Sequence, residues 1–390
     1  MRFRQPPIKK GMPFAERTPW AGMRPARAKP AALAAALAAV AALAFAPGAS
    51  ASWVIRGHGF GHGVGMSQWG AYGYAEHGRG YRWILGHYYA NTHVGQASNE
   101  RLRVLIGTVQ RSLPFSSATS ACGEDLRPAR TYRFVRSRGG VVLKSADGKR
   151  LAGCGRSATA RGGGEVTILG DRDYRGDMTV RVSGDQMLVI NDVRLEAYVR
   201  GVVPNEMPSS WPADALRAQA VAARSFALTT KVGQGFDLYD DTRSQVYGGM
   251  DTETRRTNAA VKATRGQVIR YSGGIATAYF SSSSGGRTEN VEFGFPGAAP
   301  QPYLKSVRDR YDSISPDHSW TVRYTQRQME SKLAGLFAGK LERIRVLKQG
   351  VSPRIVRAKV VGTRGSSRVS GPALEYRLDL KSTWFRARRR

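Results

Sequence analysis

Between Arg101 and Asp192 apolar and polar residues alternate in short runs, RLRVLIG, YRFVRS, GVVLKSA, EVTILG, MTVRVS and QMLVIN, divided by Gly, Asp and Asn turns. A period of two marks strands with one buried face, so residues 96–192 are expected to form a β-rich platform of hairpins. The rhythm then changes to LEAYVRGVVPNEMPSSWPADALRAQAVAARSFAL. This spacing predicts a helix from Trp211 or Pro212 to about Lys231, with Gly233 available as its stop. Pro212 suits a first turn, Asp214 complements the positive end of the helix dipole, and Leu216, Ala220, Ala223 and Ala227 form a stripe of small residues against which a neighbour can pack. Gln219 and Arg224 lie off that stripe. Just ahead of the helix, Glu206 is expected in an apolar turn flanked by Pro204 and Pro208.

Further elements follow the same logic. A second small helix is expected around Glu253–Thr264, then a hairpin with strands Gln267–Tyr271 and Ile275–Phe280. The hairpin runs into SSSSGGRTEN at Ser281–Asn290, a hydroxyl-crowded loop of the kind that lines sites at strand ends. Thr325 and Gln328 form a capping-box start for a helix reaching about Phe337, and ERIRVLK and RIVRAKVV read as two more strands. Residues 71–90 read as short helices with an aromatic load best spent on core packing. Before them, Gly57, Gly59, Gly61, Gly63 and Gly65 alternate with His58, Phe60, His62, Val64 and Met66. If extended, this segment shows a bare glycine face to a neighbouring backbone or a sugar ring. The fold class is α+β, a hairpin platform with the alanine-rich helix and the glycine-rich segment forming a groove.

The first fifty-one residues stand apart. Arg24, Arg27 and Lys29 lead into an apolar run from Ala31 to Ala46, followed by Pro47, Gly48 and Ala49-Ser50-Ala51, the pattern of a secretory signal peptide. An uncleaved N-terminal anchor is the alternative, and Met12 or Met23 is an alternative start. The 390-residue chain carries 60 Lys and Arg against 29 Asp and Glu, a net +31, and loss of residues 1–51 leaves +24. An exported basic chain without a nucleic-acid module points to anionic wall polymers or phospholipid rather than nucleic acid, and the closing RARRR adds to that charge. The two cysteines, Cys122 and Cys154, suit one disulfide in an oxidising compartment.

Glu206 is the candidate for chemistry. Val202, Val203, Pro204, Met207, Pro208 and Trp211 surround it with groups that cannot solvate a carboxylate, which raises the carboxyl pKa toward the range of a general acid. Glu196, Asp240 and Asp241 lack such a setting in the sequence. His58 and His62 stand without a third metal ligand, the glycines miss the dinucleotide fingerprint, and no S-x-x-K or H-E-x-x-H occurs.

Four segments resemble the SpoIID/LytB family of peptidoglycan proteins: the long block from Leu195 to Leu228, AYFSSSSGGRTENVEFGF, PYLKSV at Pro302–Val307 and GHGVGMSQWGA at Gly61–Ala71. In the family the last motif usually ends the domain, after a piece like LKSTWF at Leu380–Phe385. Its place at the front here looks like a circular permutation and implies that the two ends lie close together. In DLYDDTRSQVYGG, sporulation members carry Cys and His metal ligands where this chain has Tyr239, Arg243 and Ser244, so neither a metal nor another cofactor is expected. The domains implied are a signal peptide or anchor (1–51), the permuted glycine-rich segment (52–95), the β-rich region (96–192), the core with the catalytic Glu (193–312) and a C-terminal α+β part of the same domain with a basic tail (313–390).

The resemblance implies a lytic transglycosylase acting on peptidoglycan glycan strands. Glu206 would protonate the glycosidic oxygen between N-acetylmuramic acid and N-acetylglucosamine, then accept the proton of the muramic C6 hydroxyl as a 1,6-anhydro ring closes. The sugar supplies its own nucleophile, so one carboxylate suffices. His62, Ser67, Gln68, Gln219, Arg224, Tyr247, Ser283 and Thr288 are the candidate substrate-binding residues, for sugar hydroxyls and N-acetyl groups. A second reading is a non-catalytic cell-wall-binding enhancer of an amidase; a third is a wall- or lipoteichoic-acid-binding module driven by charge. Binding that falls steeply with salt and survives loss of Glu206 distinguishes the third, and a Glu206 tied up by arginine favours the second. The expected location is secreted, in the cell wall, with membrane contact only if the N-terminal segment is retained.

Overall fold

In the computed structural model, which describes residues 52–168, 172–233 and 235–390, the alternation over 101–192 becomes an 11-stranded sheet. Its order is Arg150–Gly153, Gly140–Ser145, Tyr132–Ser137, Ser112–Ser116, Ser157–Ile168, Asp173–Ser183, Gln186–Arg194, Arg101–Val109 and the short Leu238–Tyr239, with Ser120–Ala121 and Glu124–Asp125 attached beside this path. Neighbours are antiparallel except the last pair. Every second residue turns inward, burying Leu102, Val104, Phe115, Phe134, Val166, Met178 and Val180, the packing that a period of two dictates. Cys122 and Cys154 are joined in a disulfide with Cα atoms 5.3 Å apart. The expected signal segment lies outside the described residues, and no described helix is long and apolar enough to cross a membrane.

Five helices build the other half of this core: α1 (Gln68–Glu76), α2 (Tyr81–Tyr88), α3 (Leu195–Glu206), α4 (Ala213–Thr229) and α5 (Arg255–Ala263). Helix α4 is the alanine-rich element, buried on nearly every side and packed by α1, α2, α3, α5 and the strand Gln267–Tyr271. Alanine has the highest helix propensity and the smallest side chain that keeps it, so α4 forms readily and still lets its neighbours come close.

Three expectations change. Glu206 does not sit in a turn: it is the last residue of α3, which continues through Pro204. Proline removes one backbone donor, but this close to the helix end few bonds follow it, and Asn205 Nδ2 donates to the Gly201 carbonyl at 2.7 Å to help seal the end. The hairpin strand expected over Ile275–Phe280 is only Gly274–Ile275; Phe280–Ser281 instead pairs in parallel with Met66–Ser67. The capping box at Thr325 and Gln328 forms as read, yet the helix spans only Gln326–Lys332.

The glycine segment is not an extended strand either. The strand Ser52–His58 ends before Gly59, and Gly59, Gly61, Gly63 and Gly65 take φ of 74°, 96°, 73° and 71°. That left-handed region is open to glycine at little cost. Space is also short: a Cβ on Gly65 would lie 2.1 Å from the Tyr279 carbonyl oxygen, and one on Gly63 2.3 Å from Arg354 Cζ. The close approach is to protein.

A second hydrophobic core gathers Trp53 and Ile55 with Met329, Leu333, Leu341, Ile355, Ala358, Val360, Leu374, Leu378 and Phe385. It lies between a three-stranded sheet, in the order Ser319–Thr325, Ser52–His58 and Phe385–Arg389, and a four-stranded sheet, in the order Phe337–Ala338, Gly365–Ser370, Ile355–Gly362 and Leu341–Gln349. The start of the described chain therefore pairs with its end, and Ser52–His58 joins the C-terminal part while residues from Val64 onward join the first core.

Candidate functional site

Helix α3 carries a carboxylate at each end. In its first turn Glu196 is buried and receives a two-pronged bond from Arg224 of α4, Nε to Oε1 at 2.8 Å and Nη2 to Oε2 at 2.9 Å, with the Gly266 amide donating at 2.9 Å. Arg224 is fully buried and also donates to Thr264 Oγ1 and the Val261 carbonyl. Its guanidinium is thus committed to protein partners.

Glu206 at the other end meets no cation among the described residues. Its Oε1 accepts from the Val246 amide at 2.9 Å, and Gln68 Nε2 donates to its backbone carbonyl at 3.0 Å and to Oε2 at 3.3 Å. The carboxyl is surrounded by protein while the residue keeps partial solvent access. Burial pushes it up to about 7, against the opposing pull of the Val246 and Gln68 donors. The C-terminal end of a helix, with its unsatisfied carbonyls, disfavours the charged form further. Near neutral pH such a group holds its proton about half the time, so it can both give and take one.

Gln68 is aimed from a distant part of the chain, 138 residues earlier. Ser67 caps α1, its Oγ accepting from the Gly70 amide at 3.1 Å and donating to Asp312 Oδ1 at 3.0 Å. Ser283 Oγ, the amides of Ser284 and Gly285, and His318 Nδ1 all bond the same buried Asp312. Ser67 and Ser283 therefore come together, but on Asp312, where they fix the first turn of α1 and with it Gln68. The rest of the hydroxyl loop is tied down likewise. Thr288 Oγ1 accepts from the Val307 amide at 2.8 Å, and buried Glu289 accepts from the Val351 amide and Ser352 Oγ.

The remaining expected residues are engaged with protein or buried in it. His62 packs on Phe295 with ring centroids 4.8 Å apart, its Nδ1 accepting from the Val64 amide; burial and the nearby Arg354 charge lower it to about 4, so the ring is neutral. Tyr247 is buried, bonds Asn191 Oδ1 at 2.9 Å and lies against Tyr198. Gln219 is fully buried in α4, its amide without a hydrogen-bond partner among the described residues. Tyr239 and Ser244 bond each other, and Arg243 pairs with Asp241 while lying over the Tyr239 ring.

Two features escaped the sequence reading. Next to Gln68, Trp69 and Tyr72 on α1 form an aromatic group with Trp211, with ring centroids 4.8 to 5.6 Å apart. Trp69 and Tyr72 keep partial exposure, a surface on which a sugar ring can stack. Their i, i+3 spacing beside Gln68 was the available signal. Asp240, read above as lacking an apolar setting, is raised to about 6 by burial and then by the charge of Asp241. Burial raises the Tyr198 hydroxyl well above its usual range, and the charges of Glu206 and Asp240 add to that.

Residues 183–271 match the family model described as SpoIID, stage II sporulation protein. A protein named amidase enhancer from Bacillus subtilis is 40% identical over 134 residues, 34% of this chain and 18% of that protein. Stage II sporulation protein D from the same organism is 35% identical over 162 residues, and that from Bacillus amyloliquefaciens 34% over 169, covering 47% and 48% of those proteins. The chain thus spans less than half the length of each of these relatives.

Proposed function

Since this chain is a member of the SpoIID/LytB family, with a cell-wall-related role, we propose that it cleaves peptidoglycan glycan strands as a lytic transglycosylase with Glu206 as its single acid and base. The supporting observation is a carboxyl raised to about 7 by burial, with no described cation beside it, in a residue that keeps partial exposure, ten residues from a carboxylate clasped by arginine. In the acid step protonated Glu206 gives its proton to the glycosidic oxygen as the C1–O bond breaks. In the base step the carboxylate takes the proton of the C6 hydroxyl while that oxygen bonds to C1. No water is consumed and the enzyme ends as it began. Gln68 and the Val246 amide steady the carboxylate between the two steps, and Trp69 and Tyr72 offer the stacking surface. The protein acts outside the cytoplasm, in the wall.

The relative named amidase enhancer favours a second reading, in which the chain binds the wall and assists an amidase without cleaving glycan. Purified glycan strands, with and without stem peptides, separate the two. Release of 1,6-anhydromuramic ends by wild type and not by Glu206→Gln supports the transglycosylase. Release by neither, with stimulation of an amidase by both, rejects it.

A further inference from the structure

Lys and Arg are not spread evenly. Residues 52–58 and 319–390, which build the second core, hold nineteen of them against four Asp and Glu. Side-chain direction sorts this excess. In the four-stranded sheet Ala358 and Val360 face the core, so Arg357, Lys359 and Val361 face outward. Their partners across the strands lie on the same outer face: Arg345, Lys359 and Arg368 form one row, Lys348, Arg357 and Ser370 the next, and Arg343, Val361 and Ser366 a third. Six of nine positions are cationic and none is acidic. Among the described residues only Arg343 has a carboxylate within reach, Glu342 at 3.8 Å.

Most of the large sheet differs, although Arg133, Lys144 and Arg150 form one cationic row there as well. There Arg101 reaches Asp177 and Asp192 on neighbouring strands at 2.7 and 2.5 Å, Arg175 meets Glu253, and Arg136 meets Asp185. Like charges directly opposite one another destabilise a sheet, so a row of three cations flanked by Lys348 and Arg357 on one side and Arg343 on the other is a cost that folding alone does not explain. An anionic partner removes it.

We propose that this outer face is a docking surface for a linear phosphodiester polymer that carries no bases. Cations recur about every 6.6 Å along a strand and about 4.8 Å between strands, a grid on which a flexible chain with one charge per repeat can seat several charges at once and release its counterions. The nine positions include no aromatic residue, so they lack the stacking platforms that hold single-stranded nucleic acid. The one apolar side chain among them is Val361, too little to enter an acyl layer. The surface belongs to the second core and needs no part of the Glu206 site.

The test uses the full chain, poly(glycerol phosphate) of defined length, and titrations at 50 and 200 mM salt. Arg345→Ser/Lys359→Ser/Arg368→Ser is expected to weaken binding at least tenfold and to flatten the dependence of log K on log salt by about 2, at roughly 0.7 per charge removed. Arg130→Ser/Arg138→Ser/Lys149→Ser, an equal charge loss at exposed turns of the large sheet outside its one cationic row, should change it less than threefold. Arg345→Lys/Arg368→Lys should bind like wild type, which excludes damage to the sheet as the cause. An equal loss in the matched control, or tighter binding to anionic vesicles or to a single-stranded oligonucleotide than to the polymer, overturns the proposal. Cleavage of phosphate-free glycan strands by the triple variant should stay at the wild-type rate, so the two functions fail separately.

Discussion

The two ends of α3 hold the same side chain in opposite surroundings. Glu196 is clasped by a buried arginine and a backbone amide; Glu206 is buried with two neutral donors and no described cation. A buried charge is tolerated when its partner is supplied, and then it is inert. A buried carboxyl without a cation becomes a group whose proton is mobile near pH 7. Burial alone makes neither state: the partner decides.

The strongest way to break this contrast is kinetic. Glu206→Gln is expected to reduce release of 1,6-anhydro ends by about 10² to 10⁴-fold, the usual worth of a general acid, with the circular dichroism spectrum unchanged. Glu196→Gln should act on the fold instead. It leaves Arg224 buried with its charge uncompensated, at a cost of about 3–5 kcal/mol in urea unfolding, and a small loss there would mean that the pair is not needed for stability.

A third measurement follows the sign of the linkage. Folded Glu206 keeps its proton to about pH 7 whereas the unfolded chain releases it near 4.5, so the folded state binds more protons in between and stability falls as pH rises. Wild type should lose on the order of 2–3 kcal/mol relative to Glu206→Gln between pH 4.5 and 7, with no further divergence above. Parallel stability curves for the two proteins would sink the assignment. The smallest effect belongs to Gln68→Ala. Gln68 donates to the ionised carboxylate and holds its pKa down, so its loss should move the alkaline limb of the kcat/KM profile upward, by less than about one pH unit. A downward shift contradicts the geometry.

Residues whose roles rest on local pattern were readable in the sequence. The alternation of 101–192, the small stripe of α4 and the capping box at Thr325 all repeat within a few residues, and all formed. The glycines were legible as necessary, though their reason is left-handed backbone and contact with protein rather than a bare strand face. The polar candidates were harder. Ser67 meets Asp312 across 245 positions, and a hydroxyl that binds a sugar looks the same in sequence as one that binds a remote carboxylate. Pro204 hid the end of α3 because proline usually stops a helix earlier.

The pairing of Ser52–His58 with Phe385–Arg389 has a consequence for assembly on the ribosome. Ile55 leaves the exit tunnel about 330 residues before its partner Ala387, which at about 5–20 residues per second is a wait of roughly 15–65 s. Ser319–Thr325, which pairs with the other edge of Ser52–His58, emerges about 65 residues earlier, so through the last part of that interval one edge of Ser52–His58 stays open and the second core lacks Phe385. A chain broken off before Phe385 thus keeps one edge of Ser52–His58 unpaired and one side of the second core uncovered, an opening it offers to chaperones and proteases.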